Sequence, residues 1–432
     1  MLVIIRPKLV AAILVIGALL FSCAKKDVDP PVISIISPTA NTSYQLPTTI
    51  AIKGTVTDDN SINNLKINIL DENQAPISTE KNISIDSSEC LFEESFQIND
   101  RLLTSGTYYV NVKAFDEENN LSSSYRSIQI SEIPRVLKSI YLLRQTGAIT
   151  FLDQLSVSNG FVSTQNILYL TGDFQKSISN SRHQYIFVGT ENMGNAFESE
   201  FFTDLWMISP VLSPYAYFTG LHLTDLGNQL HVVSGDGVIK TFNKNGQITN
   251  AIYAAQQEWF GEVVFDDDFI IGEVFSSLIS RSVVVFNRNS GVENQRVQTI
   301  GEVVKIGKLT DDICYLVNQY QDNFQLKKYA ISTNNYWLEY ELPNCHVYDA
   351  FYKDNLLYLT TDLGFLRYNF TTMSLVNLHG QSAFHRLKYE DISGLFYLIS
   401  GSELCLFDEV NNSIDTWVLT DSLTDVLLYY NK

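Results

Sequence analysis

Leu357-Tyr358-Leu359, and after it Tyr368-Asn369-Phe370-Thr371-Thr372, is one copy of a pattern that fills residues 132–432 of this 432-residue chain. A short apolar triplet around an aromatic or apolar anchor recurs as Ile140-Tyr141-Leu142, Gln184-Tyr185-Ile186, Leu230-His231-Val232, Ile270-Ile271-Gly272, Cys314-Tyr315-Leu316 and Phe396-Tyr397-Leu398. The seven anchors, Tyr141 to Tyr397, stand 44, 46, 40, 44, 43 and 39 residues apart. A self-similar period of this length marks a repeat architecture, in which each unit buries its apolar face only against its neighbours.

Several copies add a second strand that ends in an aromatic and a turn: Phe242-Asn243-Lys244-Asn245-Gly246, Phe286-Asn287-Arg288-Asn289-Ser290-Gly291 and Phe407-Asp408-Glu409-Val410-Asn411-Asn412. The aromatic suits packing between neighbouring sheets, Asn or Asp starts the turn, and Gly or Asn tolerates positive φ. Four strands in about 40 residues, seven times over, is the pattern of a β-propeller. Seven blades is the count; the first copy is the least regular, which leaves six or eight open. Val426–Tyr430 is expected to supply the first strand of the first blade, closing the ring and removing exposed edges. The turns resemble the tyrosine-aspartate-x-x-threonine-glycine turns of quinoprotein-like and related propeller blades. That resemblance is architectural, since neither the Trp-Asp ending of WD40 blades nor the paired glycines of kelch blades is present.

Ahead of the Glu132-Ile133-Pro134 hinge, residues 32–131 alternate strand runs with turn residues and show no helical period. Val32–Ile36, Thr48–Val56, Leu65–Leu70, Asn82–Ile85, Phe96–Ile98, Tyr108–Ala114 and Ser127–Ile130 read as strands. Asp58-Asp59-Asn60, Asp71-Glu72-Asn73 and Asp116-Glu117-Glu118-Asn119-Asn120 read as turns. About seven short strands in 100 residues suits a β-sandwich. Ile36-Ser37-Pro38, Gly54-Thr55-Val56-Thr57-Asp58-Asp59, Gly106-Thr107-Tyr108-Tyr109-Val110 and Ala114-Phe115-Asp116 resemble the bacterial Ig-like or cadherin-like modules of secreted proteins. Asp58, Asp59 and Asp116 invite a calcium reading, against which ordinary Asx-turns account for them. The expected fold class is therefore all-β: an Ig-like β-sandwich followed by a β-propeller.

The N-terminus reads as a leader over residues 1–22: Arg6 and Lys8, an apolar run Leu9–Leu20, then Phe21-Ser22 before Cys23. Leu20-Phe21-Ser22-Cys23 resembles a bacterial lipobox, which implies cleavage before Cys23 and a lipid on its sulfur. An uncleaved anchor is the competing reading, but Leu9–Leu20 is short for a span of about 20 apolar residues. Residues 23–31 then form a charged tether. Its lysines followed by acids are similar to the surface-export signal of Bacteroidetes lipoproteins, with Val28 splitting the acids. The implied location is the outer membrane of a Gram-negative bacterium, at the cell surface rather than the periplasmic face.

Composition narrows the partners. A net charge of −19, about −21 once Arg6 and Lys8 leave with the leader, repels a phosphate backbone and excludes nucleic acid as a partner. Hydrophobic content of 45% gives both segments core material. Cys90, Cys314, Cys345 and Cys405 lack metal-site or disulfide-framework spacing and read as small core thiols. No cofactor or metal is expected. Among catalytic signatures there is no His-Glu-x-x-His, nucleophile elbow or phosphate loop. Ser234-Gly235-Asp236-Gly237 departs from a sialidase aspartate box and reads as a hairpin, Asp266-Asp267-Asp268 as an acidic turn, and His231 as a packed anchor.

Propellers most often bind ligands on the face carrying the D–A and B–C loops. The longest B–C loop is expected at Thr190–Asp204, with Asn192, Phe197, Glu198, Phe201 and Phe202. Trp259, Phe260, Tyr320, Asp322, His346 and His379 are assigned to the same face. Aromatics beside carboxylates and amides suit sugar stacking or a protein anchor; the alternative is that Phe201, Phe202 and Trp259 fold back over blade edges. The expected function is a noncatalytic binding or scaffolding lipoprotein for a protein or glycan. The alternative is a carbohydrate-active hydrolase or lyase using two carboxylates in the funnel.

Overall fold

The structure is a computed structural model that describes residues 28–158, 161–211, 213, 215–277, 279–380 and 382–432. The leader and Cys23 lie outside the described residues. The chain divides into two compact units between Pro134 and Arg135.

In the first unit β1 (Val32–Ser37), β2 (Thr42–Gln45), β3 (Thr48–Leu70), β4 (Lys81–Ile98), β5 (Gly106–Asp116) and β6 (Leu121–Ser131) form one connected sheet system. Its order is β1-β3-β5-β6-β2, with β4 also on β3. The core draws on Ile50, Ile52, Val56, Ile62, Leu65, Ile67, Phe92, Phe96, Val110, Val112 and Ile128. Seven short strands are corrected to six, two of them long. The runs expected at Thr48–Val56 and Leu65–Leu70 are continuous in β3, and Asn82–Ile85 and Phe96–Ile98 are continuous in β4. The polar stretch Asp58-Asp59-Asn60 does not reverse the chain. It is absorbed by register shifts between Thr57 and Asn64, because apolar residues on both sides of it enter the same core and hold the strand extended. Asp71 does start the expected turn, accepting the Asn73 and Ala75 N–H groups at 2.9 and 2.7 Å.

In the second unit the described residues form seven four-stranded antiparallel sheets. Sheet I starts from the C-terminal strand Leu423–Tyr430, which pairs with Leu137–Thr146, so it holds both ends of the unit. Sheets II to VII start from Phe174–Asn180, Phe218–Thr224, Trp259–Phe265, Glu302–Lys308, Val347–Lys353 and Arg386–Glu390, and each adds the next three strands in sequence. The seven anchors all fall on the second strand of a sheet. They are buried, Tyr185 and Ile271 among them at 1% and 0% exposure.

Seven apolar clusters hold these sheets together, each drawing on two sheets. One spans sheets II and III through Phe187, Phe218, Leu230 and Phe242. The next span III and IV, IV and V, V and VI, and VI and VII. Tyr397, Ile399 and Leu404 of sheet VII pack with Leu142, Val426 and Leu428 of sheet I. Leu143, Leu427 and Tyr429 of sheet I pack with Ile186 and Val188 of sheet II.

The aromatic-turn motif closes the third strand of its sheet. Phe242, Phe286, Tyr368 and Phe407 are buried in the clusters shared with the preceding sheet. The following Asn or Asp caps the turn: Asn287 Oδ1 accepts the Asn289 and Ser290 N–H groups, and Asp408 Oδ1 those of Val410 and Asn411. Gly246 shows why glycine ends one of them. Its φ is 74° and a Cβ there would lie 2.4 Å from Cγ of Trp206, whose indole stacks on Phe242 with centroids 5.6 Å apart. Gly246→Ala is expected to cost about 1–3 kcal/mol, read as a lower urea midpoint with unchanged slope.

Candidate functional site

The leading strands of the seven sheets wall a cavity of about 760 Å³. Ionisable side chains line it: Lys176 from sheet II, His222 from III, Glu262 from IV, Lys305 from V, Asp349 from VI, Arg386 and Lys388 from VII, and Asp425 from I. Six of the seven leading strands carry a register shift at matching height, next to Lys176, Gly220, Glu262, Lys305, Asp349 and Asp425. A bulge turns a side chain out of the regular alternation and commonly sits beside a functional site. The strand Arg386–Glu390 has no such shift; its alternation puts residues two apart on one face, and both Arg386 and Lys388 line the cavity.

The carboxylates of this wall have partners. Glu262 Oε1 lies 2.6 Å from the Lys305 ammonium. Burial opposes the charged form of Glu262, yet the ammonium groups facing it, Lys305 first and then Lys176, hold its pKa below the usual value. Asp349 accepts the Ala350 N–H at 2.9 Å and the Leu387 N–H at 3.3 Å. Asp425 accepts the Ser177 hydroxyl at 2.7 Å and the Val426 N–H at 2.9 Å. Glu273, on the second strand of sheet IV, also lines the cavity; it is buried against Arg281 at 2.7 Å and accepts the Val303 N–H. Burial pushes it up to about 7 against the pull of Arg281. His222 is held neutral, its pKa lowered by burial to about 4, and its Nε2 has no hydrogen-bond partner.

Two aromatic groups stand at the end of the unit where the leading strands begin. Tyr215 packs edge-on against Trp259 and Phe275, with centroids 5.1 Å away in both cases. Tyr348 sits between His346 at 4.7 Å and His385 at 4.8 Å. Tyr215, Phe275, His346 and Tyr348 line the cavity.

The residues singled out from sequence separate into three groups. Phe260 and His346 line the cavity, and Trp259 buttresses Tyr215. Asn192, Tyr320, Asp322 and His379 lie at the same end but outside the cavity wall; the Asp322 carbonyl accepts the Cys345 N–H, and His379 packs on Phe384. Phe197, Phe201 and Phe202 are corrected. Thr190–Asp204 is not one loop, because Gly194–Glu198 forms the third strand of sheet II and buries Phe197 at 5% exposure. Phe201 and Phe202 follow it in the turn beside Gln184, at the opposite end of the sheet. Phe202 covers Tyr141 edge-on at 5.6 Å, while Phe201 is 76% exposed.

Sequence reasoning passed over the charged wall, although a signal was present. Lys176, His222, Glu262, Asp349 and Lys388 each stand nine residues before a repeat anchor, and Lys305 ten. Tyr215 was hidden because residues 209–217, the longest link between successive sheets, carry no repeat pattern. The aspartate-box lookalike forms the expected hairpin, with Asp236 ion-paired to Lys240 at 2.8 Å.

Residues 31–113 match the family described as Bacterial Ig domain. The first unit carries a bacterial Ig domain. No curated protein matches the chain. In the Ig domain Asp116 is fully buried and bound to Asn120 through the backbone N–H and Nδ2, both at 2.6 Å. Asp58 Oδ1 accepts the Asn60 N–H at 2.8 Å. These are Asx-turn bonds, and among the described residues no group of three His, Cys, Asp or Glu side chains is placed to hold a metal. Cys314, Cys345 and Cys405 are buried free thiols and Cys90 is half-buried and free.

Proposed function

We propose that this is a lipid-anchored binding protein of a Gram-negative outer membrane, tethered through Cys23 and displayed at the surface, whose second unit is a closed seven-bladed β-propeller that takes a protein or glycan ligand at its cavity mouth. The blade reading is supported by the order of the apolar clusters, which passes from each sheet to the next and returns from sheet VII to sheet I. The binding reading rests on one observation: Tyr215, Phe275, His346 and Tyr348 line a single cavity together with ionisable side chains from all seven sheets. A cavity in the range of about 300–1,000 Å³ with a few convergent polar groups is the usual form of a ligand site.

A hydrolase of the two-carboxylate kind would want paired carboxyls with raised pKa values. In this wall Glu273 is raised but tied to Arg281, and Glu262 is lowered by Lys305, an arrangement that suits holding rather than proton transfer. The test is a glycan array with the full chain in detergent, followed by product analysis on each hit. Binding without turnover, weakened about tenfold by Tyr215→Ala or Trp259→Ala, is the expected result. Released product would replace the binding reading with the enzymatic one.

The anchor has its own test. Cys23→Ala is expected to abolish fatty-acid labelling and move the protein out of the membrane fraction. Unchanged labelling would overturn the assignment of Cys23.

A further inference from the structure

We propose that the cavity seats a carboxylate-bearing sugar, the acid group held by Lys176, Arg386 and Lys388. The inference rests on the binding reading above and narrows it to acidic glycans.

Three observations carry it. Lys176, Arg386 and Lys388 line one cavity from sheets II and VII, which flank sheet I on either side, and none of their side chains makes a hydrogen bond or ion pair to a described residue. The carboxylates around them are already engaged: Glu262 by Lys305, Asp349 by two N–H groups, and Asp425 by Ser177 and Val426. Glu302 stands exposed at the mouth. The lining as a whole carries as many carboxylates as cations, but these three cationic side chains have no carboxylate in direct contact, inside a protein whose net charge is −19. Removing charges from water is costly unless they are paired, and a cluster of half-buried cations is relieved when a ligand supplies the counter-charge. Burial and then Arg386 lower the pKa of Lys176, outweighing the opposite pull of Glu262 and Asp349.

The remaining wall favours a sugar over an acidic peptide. Tyr215, packed edge-on against the buried Phe275, contributes an aromatic ring to the lining, and neutral His222 adds an unpartnered ring nitrogen. A cavity of about 760 Å³ has room for the end residue of a sugar chain. Arg386 can meet a carboxylate with two parallel N–H bonds, while Lys176 and Lys388 act as point charges.

Calorimetric titration of the full chain in detergent with oligogalacturonate, its methyl ester and a hexaglutamate peptide tests this. The acid sugar is expected to bind, to weaken as salt rises, and to exceed its ester at least tenfold. Arg386→Gln and Lys388→Gln are each expected to weaken it at least tenfold with unchanged melting temperature. Equal affinity of acid and ester, variants that bind as well as the parent, or hexaglutamate binding more tightly would each overturn the sugar-acid seat, as would silence with all three probes. The ester comparison needs no substitution, so a variant that fails to fold cannot rescue the idea. A neutral glycan whose binding depends on Tyr215 but not on Arg386 would sink this inference and leave the binding reading standing.

Discussion

A chain ending at Asp421 is expected to lose the cooperative unfolding of the second unit altogether. The missing segment Leu423–Tyr430 is the leading strand of sheet I and pairs along Leu137–Arg144. Val426 and Leu428 belong to the cluster shared with sheet VII, whereas Leu427 and Tyr429 belong to the cluster shared with sheet II. One cut therefore opens two inter-sheet cores. It also removes the Tyr429 hydroxyl bond to Ser199 at 2.5 Å and the Tyr430 bond to Glu390 at 3.0 Å. At about 1.5–3 kcal/mol for each fully buried apolar side chain, the loss is comparable with the whole stability of a domain, about 5–15 kcal/mol. Scanning calorimetry should show two transitions for the parent and only that of the Ig domain for the truncated chain. A peptide spanning residues 422–432, added in excess, should restore the second transition. Two intact transitions without the peptide would mean that the last strand does not complete sheet I.

The second large effect is acid destabilisation through His231. Its ring stacks on Phe265 at 4.1 Å, and its two nitrogens meet the hydroxyls of Thr241 at 2.8 Å and Thr224 at 2.6 Å. A neutral ring, one nitrogen donating and the other accepting, satisfies both hydroxyls. Burial, then the Arg288 charge, lowers its pKa from 6.5 to about 3. Above pH 6.5 the ring is neutral in both states and this stability is fully present. As the pH falls from 6.5 toward 3, only the unfolded chain takes up the proton, and stability drops by about 1.4 kcal/mol per pH unit. His222, lowered to about 4, acts with the same sign. Glu273 acts with the opposite sign: with its pKa raised from 4.5 to about 7, the folded state holds a proton there that the unfolded state has lost, so its effect weakens the protein as the pH rises through that window. Urea unfolding at pH 7, 6 and 5 separates the two. His231→Gln should flatten the acid loss by about one proton, and Glu273→Gln should steepen it. An unchanged slope in His231→Gln would show that the ring is protonated in the folded state.

Much of the second unit was legible because its repeat is a core repeat. Tyr141, Tyr185, His231, Ile271, Tyr315, Tyr358 and Tyr397 recur because each must be buried between two sheets, so the spacing of the anchors reports the spacing of the sheets. The aromatic-turn motif was legible for a similar reason, since Asn287 and Asp408 cap turns with their own side chains and need no distant partner. The third strand of sheet II was not. Gly194-Asn195-Ala196-Phe197-Glu198 has little strand character of its own, and it is extended because the ring of Phe218 occupies the space a Cβ at Gly194 would take, 2.5 Å away. Phe218 lies on the next sheet, so nothing near residue 194 announces it. The long strands of the Ig domain were missed likewise, because Asp58-Asp59-Asn60 is a turn by composition and a bulge only by virtue of the core on either side.

By itself the sequence determined an all-β chain in two parts, with an Ig-like domain first and a seven-fold strand repeat after it, because burial and turn chemistry are written at short range. The tertiary structure alone decided which side chains meet in the cavity. Lys176, Glu262, Lys305, Asp349, Arg386 and Asp425 come from strands spread over some 250 residues. The convergence of all but Arg386 depends on bulges whose position is set by pairing between strands, a property no single segment carries.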